Sequence, residues 1–199
     1  MQETRVILIR HGESQGNASS ICECSGDSAL TARGEAQALR LAERLPDLFP
    51  TATALYASPR RRAQRTAEIV ARAVNLAVAI VADIREIDIG EWEGQPLSAV
   101  DLSPLRKDAD FTLHGGESPR ECAVRTAGAI REFADVHVGE TILAVGHGAA
   151  FAAALAFFLE SEPLFGNEYG IPNAGFAELW FDPLPRLAAI ESLESTSTR

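Results

Sequence analysis

"VILIRHGESQGN", residues 6–17, begins as a run of four apolar residues and breaks off at Arg10-His11-Gly12-Glu13. A Val-Ile-Leu-Ile run without polar alternation suits a parallel strand covered on both faces, because each face then needs an apolar side chain. In open α/β sheets, ligands bind in the crevice beyond the carboxyl ends of the strands. The switch to Arg-His-Gly therefore puts a cation and an imidazole where such sheets do their chemistry.

A second stretch repeats the arrangement. In "TILAVGHGAAFAAALAFFLE", residues 141–160, a strand ends in His147-Gly148 and runs directly into an apolar helix. If the two strands are parallel neighbours, roughly 4.8 Å apart, both imidazoles overhang one crevice. In a third stretch, "ASPRRRAQRTA" at 57–67, Ser58 reads as an N-cap and Pro59 as the first helical residue. Arginines in that first turn would face the same crevice, where the helix dipole and free N–H groups favour an anion. The helix starting at Gly148 offers the same. Taken singly, each histidine reads more simply as a satisfied structural residue. The cluster Arg60, Arg61, Arg62 and Arg65 likewise reads as a solvated helix face with salt-bridge partners. Together they describe a site for a phosphoryl group.

Working outward, short apolar runs at 6–9, 54–56, 78–81 and 141–145 predict strands, and helical patterns fall at 31–48, 59–74, 117–137 and 149–159. This rhythm predicts an α/β fold, a three-layer α/β/α sandwich with a mostly parallel central sheet. Runs at 176–181 and 187–193, separated by "DPLP", predict a terminal hairpin. The expectation is a single domain over 1–193. Residues 90–116, broken by Pro96, Pro104 and "HGGES", read as an insertion or lid over the active face, and the polar "ESTSTR" at 194–199 as a flexible tail.

Composition narrows the function. A net charge of −10 argues against nucleic acid or an anionic membrane as partner. No run approaches the roughly 18 apolar residues of a membrane span, and "MQETR" lacks the layout of a signal peptide, so a soluble cytoplasmic protein is expected. Cys22, Cys24 and Cys122 then read as reduced thiols. Cys22-Glu23-Cys24 does not read as half a metal site, since no second cysteine pair exists and His114 and His137 lie in unrelated segments. No metal is expected.

Six motifs follow in order: "RHGES" with Asn17, "LTARGEAQA" from Leu30, "SPRRRAQRTA" from Ser58, "IREIDIGEWEG" from Ile84, "GGES" from Gly115 and "VGHG" from Val145. Each alone is weak, but the set in this order and spacing is strong. The chain resembles the histidine phosphatase superfamily, the phosphoglycerate mutase-like enzymes. The resemblance implies that His11 is the nucleophile that takes up the phosphoryl group. It places Arg10, Arg62 and His147 around the non-bridging oxygens, with Asn17 and the Gly148 N–H adding neutral hydrogen bonds. Glu86 matches the family's general acid and would then activate water against the phosphohistidine. Without the resemblance, Glu86 reads as an exposed loop acid among Asp83, Asp88, Glu91 and Glu93. Trp92 reads as a packing residue and Glu117 as an acid complementing a helix dipole.

Departures from the family narrow the reading. Many members carry Arg and Gly at the positions aligned with Ile21 and Cys24, whereas "ASSICECSGDSAL" at 18–30 has no basic residue. The mutases are also longer, with further basic residues for the substrate carboxylate. Arg106 and Lys107 are the only basic residues in 90–116, and so are candidates for substrate selection. The expected function is phosphomonoester hydrolysis of a small phosphorylated metabolite through a phosphohistidine, with no metal or organic cofactor. The alternatives are a cofactor-dependent phosphoglycerate mutase and, in another class, a binding or scaffolding family member with vestigial catalysis.

Overall fold

The computed structural model describes residues 3–112, 114–182 and 184–192. Its strands are β1 (Thr4–Arg10), β2 (Ala52–Ala57), β3 (Val78–Ile80), β4 (Thr141–Gly146), β5 (Phe176–Asp182) and β6 (Leu184–Glu191). The helices are α1 (Gln15–Ala18), α2 (Ala32–Leu48), α3 (Arg61–Val74), α4 (Pro119–Val136) and α5 (Gly148–Phe158). One sheet runs β3-β2-β4-β1-β5-β6. Strands β1 to β4 are mutually parallel, and the β5–β6 hairpin adds antiparallel strands beside β1. The mostly parallel sheet with helices on both faces agrees with the expected sandwich.

The apolar run of β1 is explained by what each face meets. Val6 and Leu8 pack with Ile130 and Phe133 of α4 and with Phe151 and Leu155 of α5. Ile7 and Ile9 pack on the other face with Leu41 and Leu45 of α2 and with Ala63 and Val70 of α3. All four β1 residues are fully buried, each burial stabilising the fold by about 1.5–3 kcal/mol. Helices α2 and α4 start on side-chain caps: Thr31 accepts from Gly34 N at 3.0 Å, and Ser118 forms a capping box with Glu121 ahead of Pro119.

Chain order matters for the site. After β1 the chain moves to β2 and β3, then returns to insert β4 between β1 and β2. Helix α5 next leads to β5 on the far side of β1, so the β1–β4 boundary is a topological switch point. Arg10 stands opposite Gly146 in register, and His11 N donates to Gly146 O at 3.0 Å. The two His-Gly pairs therefore leave adjacent parallel strands at the same level.

Several local expectations are corrected. Helix α3 begins at Arg61 with Arg60 as N-cap, so neither Ser58 nor Pro59 plays its expected part; the Ser58 hydroxyl meets His147 Nε2 at 2.7 Å and accepts from Arg60 N at 3.3 Å. Helix α4 starts at Pro119, and Glu117, outside it, bonds Arg125 instead of complementing the dipole. Strand β6 begins at Leu184, which takes up most of the expected turn; Pro185 is tolerated because this is an edge strand. Leu193 and the tail at 194–199 lie outside the described residues. The short α1 was not expected; Ser14 and Asn17 close it as a capping box.

Two glycines show why the first two motifs go together. A Cβ on Gly12 would stand 2.4 Å from Gly34 O, and one on Gly34 would stand 2.0 Å from Glu13 O. Only glycine at both places lets the His11 loop rest on the start of α2.

Candidate active site

The two imidazoles meet edge to face, with centroids 5.2 Å apart and planes at 66°. Both are buried, His11 at 2% exposure and His147 at 0%. His11 Nδ1 lies 2.7 Å from Gly12 O, and its Nε2 lies 3.3 Å from Arg62 Nε. A carbonyl only accepts and a guanidinium only donates, so the hydrogen is on Nδ1 and the lone pair on Nε2. Burial above all, and then the Arg62 charge, pull the His11 pKa down to about 3, with Arg10 adding and the Gly12 carbonyl opposing. The ring is neutral at physiological pH. His147 is also held well below the usual range, chiefly by burial. Its Nε2 contacts Ser58 Oγ at 2.7 Å, and its Nδ1 is buried without a hydrogen-bond partner among the described residues.

Of the four clustered arginines, Arg62 is the one whose guanidinium reaches His11. It also donates to the carbonyls of Gly26 at 2.8 Å and of Glu23 and Cys24, each at 3.3 Å. Those carbonyls belong to a loop that Glu93 holds from the other side, accepting from Cys24 N and Ser25 N at 3.0 Å and from Gly26 N at 2.8 Å. Three such donors outweigh burial and keep the Glu93 pKa lowered. Arg65 follows the simpler reading: it makes a forked pair with Glu35 at 2.7 and 2.8 Å and adds Glu68 at 3.2 Å.

Arg10 donates to Ile171 O at 2.9 Å, and its Nε lies 3.0 Å from where a Cβ on Gly148 would sit. Glycine at 148 thus admits the guanidinium over the start of α5. Burial, the largest cause, and Arg62 both disfavour the Arg10 charge, and Glu86 opposes them. Glu86 accepts from Ala150 N at 2.8 Å, Ile87 N at 3.0 Å and Ala149 N at 3.2 Å. The expectation that α5 offers free N–H groups is corrected for Ala149 and Ala150, whose N–H groups hold Glu86. Asn17 Oδ1 accepts from Ser14 N and from Asn173 Nδ2, each at 3.2 Å, so its amide nitrogen is the atom left to face the site.

A cavity of about 300 Å³ opens on this constellation, with Arg10, Asn17, Glu86 and Gly148 in its lining. His11, His147 and Arg62 are buried and do not line it, but are joined to it through Arg62, which bonds the carbonyls of the lining residues Glu23 and Cys24. The structure thus brings all seven expected site residues to one place. Cys22, Cys24 and Cys122 are buried free thiols, each with its pKa raised mainly by burial. Trp92 packs beside them as a partly buried residue. Among the described residues no three His, Cys, Asp or Glu side chains converge as a metal-ligand set.

Sequence reasoning missed four supports. Asn173 donates to His11 O at 3.0 Å as well as to Asn17. Buried Thr66 accepts from Gly12 N at 3.2 Å. Ser58 was assigned to a cap, and Glu93 was one acid among several. Asn173, Thr66 and Glu93 bind the backbone of distant segments, for which the "PNAG" turn at 172–175 is the nearest thing to a signal.

Known proteins share this frame. Residues 6–185 match the family model of the histidine phosphatase superfamily, branch 1. The probable phosphoglycerate mutase GpmB of Salmonella choleraesuis is 32% identical over 162 residues, covering 78% of this chain and 74% of that protein. Its counterpart in Cronobacter sakazakii is 30% identical over 192 residues, covering 93% and 88%. Among solved structures, the Entamoeba histolytica phosphoserine phosphatase in complex with 3-phosphoglyceric acid superposes with a TM-score of 0.85 at 26% identity, over 96% of this chain and 98% of that one. A mycobacterial glucosyl-3-phosphoglycerate phosphatase in complex with VO3 gives a TM-score of 0.81 at 27% identity, over 93% and 97%. With the ordered motifs gathered at one switch point and the family model spanning nearly its whole length, the chain belongs to the histidine phosphatase superfamily.

Proposed function

We propose that the chain is a phosphomonoester hydrolase that acts through a phosphohistidine on His11. The observation that carries this reading is the state of the His11 ring: neutral, with Nδ1 anchored to Gly12 O and the Nε2 lone pair beside a buried guanidinium. A nucleophilic imidazole needs that tautomer fixed before the substrate arrives.

In the proposed reaction Nε2 attacks phosphorus in line, the bond to the ester oxygen breaks, and Glu86 gives that oxygen its proton. Arg62 Nε–H, which donates to Nε2 in the free enzyme, turns to a phosphoryl oxygen as the lone pair is used. Arg10 and His147 Nδ1 take the other oxygens, and Asn17 and Gly148 N–H add neutral donors. Water then attacks the phosphohistidine with Glu86 as base, which releases phosphate and restores the neutral ring. Positive charge on the phosphoryl group comes from two arginines, so no divalent metal is called on. Residues 90–116 act as a lid, since Leu97 and Leu102 stand in the cavity wall.

The test is transfer from a phosphorylated substrate to the protein. Acid-labile labelling that His11→Ala removes, with turnover surviving exhaustive chelation, is expected. Loss of turnover in EDTA and its return with a divalent metal would refute the mechanism. A mutase reading draws on the names of the Salmonella and Cronobacter relatives. It requires 3-phosphoglycerate to be isomerised faster than phosphate is released. The absence of any turnover would favour the binding or scaffolding reading.

A further inference from the structure

Beyond its phosphoryl end, the cavity is walled by apolar side chains from separate segments: Ile21, Ile89, Leu97, Leu102, Phe165 and Ile171. Among the described lining residues Arg10 is the only cation, and it faces the phosphoryl end and Ile171 O. The carboxylates of the lining are Glu86, held by the start of α5, and Glu23, bonded by Ser28 and 3.8 Å from Arg62. Arg106, of the 90–116 segment, is not part of the lining; its Nε lies 3.8 Å from where a Cβ on the lining residue Gly166 would stand. At the mouth, Ile21 and Leu97 keep 38% and 44% of their surface exposed. They are held side by side by the bridge between Ile21 and Pro96 and the bond from Leu97 N to Ser20 O at 2.8 Å.

Resting on the phosphatase reading, we infer that the site selects phosphomonoesters of apolar alcohols, alkyl or aryl, over esters whose alcohol carries a carboxylate. A carboxylate on the leaving group would lose its water against aliphatic walls, find no cation in this part of the cavity, and approach Glu86. An alkyl or aryl group removes the exposed faces of Ile21 and Leu97 from water and leaves no polar group unpaired. The cavity of about 300 Å³ is at the lower end of the range that encloses small organic ligands, which suits a medium-length alkyl chain or a bicyclic aryl group.

The experiment compares kcat/KM for n-butyl, n-hexyl and n-octyl phosphate, 1-naphthyl phosphate, phosphoserine and 3-phosphoglycerate. Among the alkyl esters a rise of about fourfold per methylene is expected until the cavity fills, with octyl and naphthyl phosphate ahead of both carboxylated esters. Leu97→Lys, a change at an exposed position, should narrow the ratio of octyl phosphate to 3-phosphoglycerate by about tenfold or more. A flat chain-length series, or carboxylated esters turned over best, would overturn the inference and leave the phosphatase reading standing. A preference for 3-phosphoglycerate that Arg106→Ala abolishes would overturn it too, by placing selection on Arg106. No hydrolysis of any ester and no acid-labile label on His11 would bring down the phosphatase reading, and the inference with it.

Discussion

The phosphoryl end and the leaving-group end of the cavity are built from different parts of the molecule. The first hangs on the central strands: His11 and His147 follow neighbours in register, and Thr66, Ser58, Asn173 and the loop carbonyls hold the Gly12 amide, His147, Asn17 and Arg62. The second is assembled from single side chains of loops and 3₁₀ turns, with no strand contributing its apolar wall. On the proposed reading, chemistry is tied to the strand frame, while selectivity is carried by segments free to vary without disturbing it.

Substitutions at the two ends will therefore differ in kind. The largest effect is expected for His11→Ala, about ten-thousandfold or more in kcat, for every ester alike; residual turnover that depends on the leaving group would break the comparison. Next, Glu86→Gln should slow single-turnover phosphoryl transfer from alkyl phosphates by about a hundredfold to ten-thousandfold, and from p-nitrophenyl phosphate much less, because that leaving group needs no proton. Equal losses for both esters would remove Glu86 from the role of acid.

Glu93 tests how far the frame extends. It touches neither histidine, yet it holds the three amides whose loop carbonyls hold Arg62. Glu93→Ala should lower kcat by about tenfold to a hundredfold through a misplaced guanidinium, with KM little changed and partial rescue in Glu93→Gln. A pure KM effect would assign Glu93 to the leaving-group side instead.

The remaining expected effect is on stability and not on turnover. His11 is held at a pKa of about 3 in the fold, against about 6.5 in the unfolded chain. Between these values the unfolded state binds the extra proton, so stability is full above about pH 6.5 and falls as pH drops toward 3, by up to about 1.4 kcal/mol per pH unit. Melting curves between pH 7 and pH 4 should show this slope, reduced in His11→Asn. An unchanged slope in that variant would mean that His11 is not the buried neutral base.

The same division explains what the sequence could reveal. Val6 to Ile9 and the two His-Gly pairs were legible because a doubly covered strand needs apolar residues throughout and its end is where polar residues become tolerable. Ser58 misled because a serine before Pro59 has the local form of a cap, and its true partner, His147, is brought close only by the sheet. Thr66, Asn173 and Glu93 serve the backbone of remote segments, which no spacing rule records. The apolar wall was hidden for a related reason: Ile21, Leu97 and Phe165 are isolated residues in loops, where periodicity has nothing to say.

The late insertion of β4 has a consequence for how the protein is made. As the chain emerges from the ribosome, β1, β2 and β3 are available early, but β1 and β2 are not neighbours, and the strand that joins them arrives only with residues Thr141–Gly146. Until then both inner edges present unpaired amides and carbonyls, on β1 beside fully apolar faces, a surface prone to association with other chains. The step that joins those edges also brings His147 to His11, so a molecule with its sheet incomplete lacks the paired imidazoles of the proposed site.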